Sequence, residues 1–372
     1  MNYLKVAAIN IGLSCAFLLA FDVTAYFLLP TKFDPRGYRT GAFAFRTAFG
    51  SPLYPRYYFE ANAARDFDIE PASEGLKVTN NFLFPIEANE FGCRDLKVSL
   101  DPTKSFIYVA GDSQTWGFVP IALRWTERLE QLSGKVVLNC GVPATAQRHQ
   151  RDKYEQVLRI LRRRPDLVLV AYVSNDVLED RLFPAYTVID GFLITNDADP
   201  KIPKARVEEG IERLNYPRPT DRIRAFIINY SLSAHVIKGL WRLASAHPAA
   251  PPSDSIYNYS DSEALANKRA IENFARDVCS SGTRFAVVVL PDALHLAFPD
   301  YFGGLDDFLN ASGIFSVDLH RIISNQGLKY TDLGQINDPH FSVIGNSHVA
   351  NALYDLMQKY AERFGSCKQL AS

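Results

Sequence analysis

The sequence lacks the features that mark several common classes of protein. Its 372 residues include 40 Lys or Arg and 41 Asp or Glu, and this near balance argues against a generic nucleic-acid binder. It has no internal repeat and no long low-complexity segment, and its 47% hydrophobic and 22% charged residues are typical of a globular protein. Its cysteines are widely spaced with no CxxC pair, which argues against a zinc site and a disulfide framework but leaves a single bridge open. They are Cys15, Cys93, Cys140, Cys279 and Cys367.

Apolar residues dominate the N-terminus from Leu4 to Leu29, a length that can cross a bilayer. The segment is followed by FLLP rather than a small-x-small cleavage site, which favours a retained anchor over residues 1–30 instead of a cleaved signal peptide. Asp22 inside the segment is expected at the membrane interface or against a neighbouring element. Basic residues flank both sides, and the positive-inside rule weakens for long translocated domains, so the charges leave the orientation open.

The remainder of the chain divides by pattern into a connector and an α/β domain. Residues 31–100 are rich in aromatic and turn residues and predict an irregular connector that packs on the following domain. Residues 101–363 alternate short apolar runs with amphipathic helices, which is typical of a parallel sheet covered on both faces. Residues 179–262 break this rhythm and predict an insertion over the sheet, a lid or a cap, and residues 364–372 form a tail. Strands are expected over 105–110, 135–140, 166–173 and 284–291, and helices over 151–164 and 342–364.

The first predicted strand ends in Gly111-Asp112-Ser113, a tight turn that carries a hydroxyl group. Open α/β sheets bind ligands at the carboxyl ends of their strands, and a helix beginning there can direct its amides at a developing anion. Ser113 is therefore either a nucleophile or only the cap of that helix. The triplet by itself leaves both interpretations open.

Several blocks, taken together, resemble those of the SGNH or GDSL-type hydrolase superfamily. GDSQTWG (111–117) is similar to its first block, with Ser113 in the position of the nucleophile. NCGVPATAQ (139–147), YVSNDV (172–177) and NDPHFSVIGNSHVANAL (337–353) are similar to its later blocks and follow in family order. ANEFGCRD (88–95) resembles a stretch that precedes the first block in membrane-anchored bacterial members. The resemblance implies an α/β fold of three layers, α/β/α and flavodoxin-like.

The resemblance also implies the roles of individual residues. His340 would take the proton of Ser113, and Asp338 would fix the tautomer of that imidazole and stabilise its charged form. The oxyanion hole would consist of the backbone amides of Ser113 and Ala144 and the side chain of Asn175.

Further residues flank these groups. Gly111 would allow the tight turn, and Gly141 is the less favoured source of an oxyanion amide. Asp112 and Asp176 are expected to serve local hydrogen bonding rather than proton transfer. His348 is expected to be a packing or surface residue of the last helix.

The sequence departs from the family pattern at three positions. Ala144 occupies the place of a glycine in the second block, and Val173 replaces the glycine of the third. The commonest last block is D-x-x-H, whereas only Pro339 separates Asp338 from His340. Asn337, three residues before His340, cannot carry the orienting charge.

The leading interpretation is a membrane-anchored serine esterase that removes an acyl group, with acetyl as a candidate, from a carbohydrate or lipid. An O-acyltransferase acting on an envelope polysaccharide uses the same triad, and the residues do not separate the two. A catalytically inert carbohydrate-binding module is the alternative from another class. The resemblance implies no metal and no organic cofactor, an acyl ester and the membrane as partners, and no nucleic acid. The oligomeric state is left open. By analogy with anchored members, a single-pass protein with its catalytic domain outside the cytoplasm is expected.

Overall fold

A parallel sheet of five strands lies at the centre of the fold. The computed structural model describes residues 3–28, 59–78, 83–95, 105–189, 191–195, 209, 212, 216–223, 231–245, 262–335 and 338–367. Within these ranges the strands are β1 (Phe59–Asn62), β2 (Asp66–Ile69), β3 (Glu74–Val78), β4 (Leu83–Glu87), β5 (Phe106–Gly111), β6 (Val136–Asn139), β7 (Leu167–Tyr172), β8 (Tyr186–Ile189), β9 (Phe192–Thr195), β10 (Arg284–Val289), β11 (Ser316–Asp318), β12 (Gly334–Gln335) and β13 (Asp338–Phe341).

The helices of the same ranges are α1 (Tyr3–Leu28), α2 (Ser113–Trp116), α3 (Trp125–Ser133), α4 (Gln147–Leu161), α5 (Asp176–Leu182), α6 (Leu232–Ser245), α7 (Leu265–Ser280), α8 (Leu305–Ala311), α9 (Leu319–Ser324), α10 (Tyr330–Leu333) and α11 (Val343–Tyr360). Short 3-10 turns lie at Ile121–Leu123, Ser262–Ala264, Ala293–His295 and Ala361–Arg363.

The strand order of the central sheet is β11-β10-β7-β5-β6, and every neighbouring pair is parallel. Counted along the chain this is the order 2-1-3-4-5 of flavodoxin-like folds, in which the direction of winding reverses between the first and third strands. That switch point lies between β5 and β7. The turns after these two strands carry Ser113 and Asn175, so the fold places both at the edge where such sheets bind ligands.

Helices cover both faces of the sheet, and this confirms the predicted α/β architecture. Successive residues of a strand point to opposite faces. Tyr108 belongs to a core cluster with side chains of α4 and α7, whereas Val109 belongs to a second cluster with side chains of α3 and α11. Since both faces are buried, the strands read as unbroken apolar runs in the sequence.

The predicted central strands begin and end within two residues of the observed ones. β11 has only three residues, too few for an apolar run to be recognised. α4 begins at Gln147 rather than at 151, and it ends at Leu161, because Arg162 takes a left-handed conformation with φ of 51°. The helix therefore ends before Pro165 is reached.

The predicted connector and the predicted insertion each form antiparallel hairpins, and the two segments contact each other. β1 pairs with β2, β3 with β4, and β8 of the predicted insertion with β9. The rings of Phe67 in β2 and Tyr186 in β8 pack edge to face at 5.5 Å. Residues 31–58 and 246–261 lie outside the described residues, so the predicted domain boundaries stay predictions.

Asp22 of α1 lies against a neighbouring element, helix α6. This is one of the two surroundings that the sequence predicts for it. Its carboxylate accepts hydrogen bonds from the backbone N–H of Ser233 at 2.8 Å and from the Ser233 hydroxyl at 3.1 Å. This carboxylate caps the first turn of α6. Among the described helices, none combines the length and the apolar character that crossing a membrane requires.

The expectation of at most one disulfide is wrong. Cys93 is bonded to Cys140 and Cys279 to Cys367, whereas Cys15 is free and exposed. Each bridge joins cysteines that are far apart in the chain, 47 and 88 residues, so their spacing in the sequence gave no sign of the pairing. The second bridge ties the predicted C-terminal tail to the end of α7.

Candidate active site

Ser113 is the first residue of α2, directly after the buried strand β5. Asp112 caps this short helix by accepting a hydrogen bond from the N–H of Gln114 at 2.8 Å. A side chain at Gly111 would overlap the hydroxyl of Thr115, one turn further along. Glycine is therefore required here by close packing, rather than by an unusual turn conformation as the sequence suggests.

His340 reaches Ser113 across 227 residues of sequence. Its Nε2 lies 2.9 Å from the serine Oγ, the arrangement in which the imidazole accepts the hydroxyl proton. The ring of Phe118 stacks on the imidazole at 3.8 Å with an angle of 21° between the planes, which fixes the ring orientation. Asp338 contributes its backbone to β13, but its side chain lies outside the described residues, so its role in the triad stays a prediction.

Gln114 holds the strand that carries His340, and the sequence analysis did not single it out. Its Nε2 donates to the carbonyl of Pro339 at 3.1 Å, and its Oε1 accepts from the N–H of Phe341 at 3.2 Å. The two bonds bracket His340 on both sides of its backbone. Gln114 thus joins the helix of the nucleophile to the strand of the base through one side chain.

The turn after β6 presents a candidate oxyanion donor at Ala144. Its backbone lies in the left-handed region with φ of 61°, the conformation that explains why the family has glycine here. Within the described part of the chain, its N–H has no hydrogen-bond acceptor. The alternative donor Gly141 is excluded in this arrangement, because its N–H already donates to Oδ1 of Asn139 at 3.0 Å.

Asn175, the third candidate donor, follows the next strand of the sheet, where α5 begins. Its side-chain amide opposes the rise that burial causes in the pKa of both Asp112 and Glu179. The structure therefore brings Ser113, His340 and Asn175 to one edge of the sheet, as their order in the blocks predicts.

A buried carboxyl network lies behind these donors. Gln147 donates to Oδ2 of Asp176 at 2.5 Å, while Nδ2 of Asn267 donates to Oε1 of Gln147 at 2.5 Å and to Oδ2 of Asp180 at 2.7 Å. Burial, and then the neighbouring Asp112, raise the pKa of Asp176 well above its usual range. Burial raises the pKa of Asp180 to about 7. The network links α4, which follows Ala144, to α5, which follows Asn175, and Asn267 of α7 is its third contributor.

Asp112 is itself buried, and desolvation raises its pKa. The N–H of Gln114 and the nearby His340 act in the opposite direction. Its bond to the N–H of Gln114 is of the local kind expected from the sequence, and its Oδ2 lies 3.2 Å from Ser113 Oγ.

The block ANEFGCRD holds the loop that follows the nucleophile helix. The Arg94 guanidinium is fully buried and donates to the carbonyls of Trp116, Gly117 and Val119. The neighbouring Asp95 accepts a hydrogen bond from the N–H of Asn139 at 2.9 Å. This block therefore holds the chain segments of the first and second blocks in position. It contributes no reacting group.

Two further histidines do not reach the described site residues. His149 is buried beside Phe67 and its Nε2 donates to the Phe67 carbonyl at 2.7 Å. His348 is half-buried on α11, as predicted. Among the described residues, no group of three or more His, Cys, Asp or Glu could hold a metal ion.

The chain matches no protein-family model and no curated protein. Among solved structures it is similar to a catalytic mutant of the acetylxylan esterase Axe2 from Geobacillus stearothermophilus, with 10% identity, a TM-score of 0.38, and coverage of 70% of this chain and 95% of that one. It is also similar to the esterase EstA from Pseudoalteromonas sp., with 10% identity, a TM-score of 0.37, and coverage of 70% and 100%. A third match is a G-D-S-L family protein from Desulfitobacterium hafniense, with 13% identity, a TM-score of 0.32, and coverage of 70% and 99%.

At these identities and TM-scores the likeness assigns neither an activity nor a substrate.

Proposed function

We propose that this protein is a serine esterase that cleaves acyl esters through an acyl-enzyme on Ser113. The observation that carries the proposal is the 2.9 Å contact between His340 Nε2 and Ser113 Oγ at the switch point of the sheet. A serine hydroxyl is a poor nucleophile until a positioned base takes its proton, and this contact supplies the base. Two further groups support an oxyanion hole: the amide of Ala144, which has no hydrogen-bond acceptor among the described residues, and Asn175 at the end of the neighbouring strand.

In the proposed reaction, Ser113 Oγ attacks the carbonyl carbon of the ester while its proton passes to His340 Nε2. The negative charge that develops on the carbonyl oxygen is held by the amides of Ser113 and Ala144 and by Asn175. The intermediate then expels the alcohol, which takes the proton from His340. Water adds to the acyl-enzyme while His340 takes its proton. The second intermediate then expels Ser113 Oγ, which takes this proton back from His340, and the carboxylic acid leaves. Asp338 is proposed as the residue that orients His340.

The substrate is proposed to be an acyl ester of a carbohydrate or a lipid, with acetyl as a candidate acyl group. The first experiment compares hydrolysis of p-nitrophenyl acetate, butyrate and octanoate by the wild type, Ser113→Ala, His340→Ala and Asn175→Ala. We expect turnover to be lost in the first two variants and to fall by about 100-fold in the third, the effect of removing one oxyanion donor. Unchanged turnover in Ser113→Ala would sink the proposal.

We further propose that the domain works outside the cytoplasm. The two disulfides support this location, since such bonds persist in oxidising compartments and are rare in the cytosol. This location is tested by lysing the cells in acid and then directly alkylating the denatured protein. Modification of Cys15 alone is expected, whereas modification of all the cysteines would contradict the location.

Association of α1 with a membrane is proposed as well. Large apolar side chains of this helix, among them Ile11, Phe17 and Leu19, are exposed, and surfaces of this kind mark sites of contact with lipid or protein. Full-length protein is expected in the membrane fraction after carbonate extraction, and the double variant Ile11→Lys, Phe17→Lys in the soluble fraction. Release of the wild type by carbonate would contradict the proposal.

A further inference from the structure

A second acid–histidine pair lies at the same edge of the sheet as Ser113, and the proposed triad does not use it. Asp292 follows β10 and His295 ends the next 3-10 turn, so the two residues have D-x-x-H spacing. Nδ1 of His295 lies 3.0 Å from Oδ1 of Asp292. Because His340 already contacts Ser113, this pair has no part in activating the nucleophile.

The pair lies beside the reaction centre. β7 separates β5 from β10 in the sheet, so the ends of the latter two strands are about 10 Å apart. The hydroxyl of Ser174, the residue before Asn175, donates to Oδ2 of Asp292 at 3.0 Å. The turn Ala293–His295 also packs against β13, the strand of His340. The acid–histidine pair is thus connected to both the candidate oxyanion donor and the strand of the base.

A buried histidine holds the segment in place. Nδ1 of His320 accepts a hydrogen bond from the N–H of Asp292 at 3.0 Å, so this nitrogen carries no proton. Its Nε2 therefore carries the proton and donates to the carbonyl of Phe298 at 2.8 Å. Burial lowers the pKa of His320, which favours this neutral form. One side chain consequently clips both ends of the segment from Asp292 to Phe298.

The pair is positioned but still accessible. The ring of His295 stacks on Tyr301 at 4.2 Å with an angle of 9°. Its Nδ1 is buried on the side of Asp292, but the angle between the two groups does not suit a hydrogen bond. The side chain as a whole is 20% exposed. The exposed part of the ring is therefore the edge away from Nδ1. Leu294 and Phe298 on the same segment are 59% and 39% exposed, so apolar surface borders the polar pair.

We propose that Asp292 and His295 form the subsite for the alcohol part of the ester, and that this alcohol is a carbohydrate. The inference rests on the proposed esterase function. Sugar hydroxyl groups both donate and accept, which suits a carboxylate next to an imidazole edge. The apolar face of a sugar ring suits the exposed side chains of Leu294 and Phe298. The oxygens of Asp292 already accept hydrogen bonds from Ser174 and from the N–H of Leu294, so the group that needs a partner is the accessible imidazole edge of His295. A lipid chain would cover this edge without offering it a hydrogen bond, which is costly.

The test compares two acetyl esters that differ only in the alcohol: mono-O-acetylated methyl glucosides with free hydroxyl groups, and p-nitrophenyl acetate. The variants of the full chain are His295→Phe, which keeps the stacking on Tyr301, His295→Gln and Asp292→Asn. His348→Gln, a half-buried histidine on α11, is the matched control. The quantity measured is the ratio of kcat/KM for the sugar ester to kcat/KM for p-nitrophenyl acetate.

We expect this ratio to fall by about tenfold or more in His295→Phe and Asp292→Asn, the effect of losing a hydrogen bond at a charged or polar group, and to stay constant in the control. The ratio for His295→Gln, which keeps a polar group, is expected to lie between that of the wild type and that of His295→Phe. A ratio within about twofold of the wild type in both His295→Phe and Asp292→Asn would overturn the subsite, and so would parallel loss of both activities. Failure of the esterase proposal is distinct, because the wild type would then hydrolyse neither ester.

Discussion

Replacing Gln114 by alanine removes the clamp on the strand of His340 without touching either reacting side chain. The clamp consists of two hydrogen bonds, at 3.1 and 3.2 Å, to the backbone on either side of the histidine. Each such bond contributes about 1 kcal/mol net, so the variant loses about 2 kcal/mol. If all of it serves to position His340, the rate of acylation falls by about 30-fold, since 1.36 kcal/mol corresponds to a factor of ten.

The assay is the rate at which a fluorophosphonate labels Ser113, because labelling needs the activated hydroxyl but no particular alcohol. Gln114→Glu retains the acceptor for the Phe341 N–H and loses the donor to Pro339, so its rate is expected between those of the wild type and Gln114→Ala. Gln131→Ala, at an exposed glutamine on α3, is the matched control. Labelling of Gln114→Ala at the wild-type rate, with the free energy of unfolding lowered by about 2 kcal/mol, would refute a positioning role and leave only a structural one.

Further predictions concern stability. Ala144→Gly is expected to keep the activity, because only the backbone amide acts, and to change the free energy of unfolding by no more than about 1 kcal/mol, measured in urea; a large loss of activity would contradict the assignment. Burial lowers the pKa of His149 to about 4, so the neutral form stabilises the fold above pH 6.5 and this contribution, up to about 3 kcal/mol, is lost as the pH falls from 6.5 to 4. His149→Gln should flatten the dependence of the free energy of unfolding on pH between 6.5 and 4. A dependence equal to that of the wild type would contradict this role of His149. Replacing Cys93 and Cys140 by serine should lower the free energy of unfolding by about 4 kcal/mol, the chain entropy of a loop of 47 residues, and no loss would contradict the bridge.

The central sheet was predictable from the sequence because burial on both faces leaves a direct trace. β5 and β7 are buried at every position and read as continuous apolar runs. Their ends were predictable for the same reason, and with them the positions of Ser113 and Asn175. β11 escaped prediction because three residues do not suffice for a pattern.

The supporting contacts of the site were not predictable because they depend on distant partners. Gln114 is an ordinary glutamine in the sequence, and only the fold brings Pro339 to its side chain. The pairing of Cys93 with Cys140 likewise arises because the chain before β5 returns to the end of β6. The Asp292–His295 pair has the commoner D-x-x-H spacing, yet in the fold it is His340 that contacts Ser113.

The central claim is that Ser113 is a nucleophile activated by His340. The most direct test is the intact mass of the full-length protein after treatment with a fluorophosphonate, followed by peptide mapping, in the wild type, Ser113→Ala and His340→Ala. The account predicts a single adduct on Ser113 in the wild type, none in Ser113→Ala, and labelling slowed by at least about 100-fold in His340→Ala. A folded wild-type protein that takes up no label, or an adduct on another residue, would contradict it.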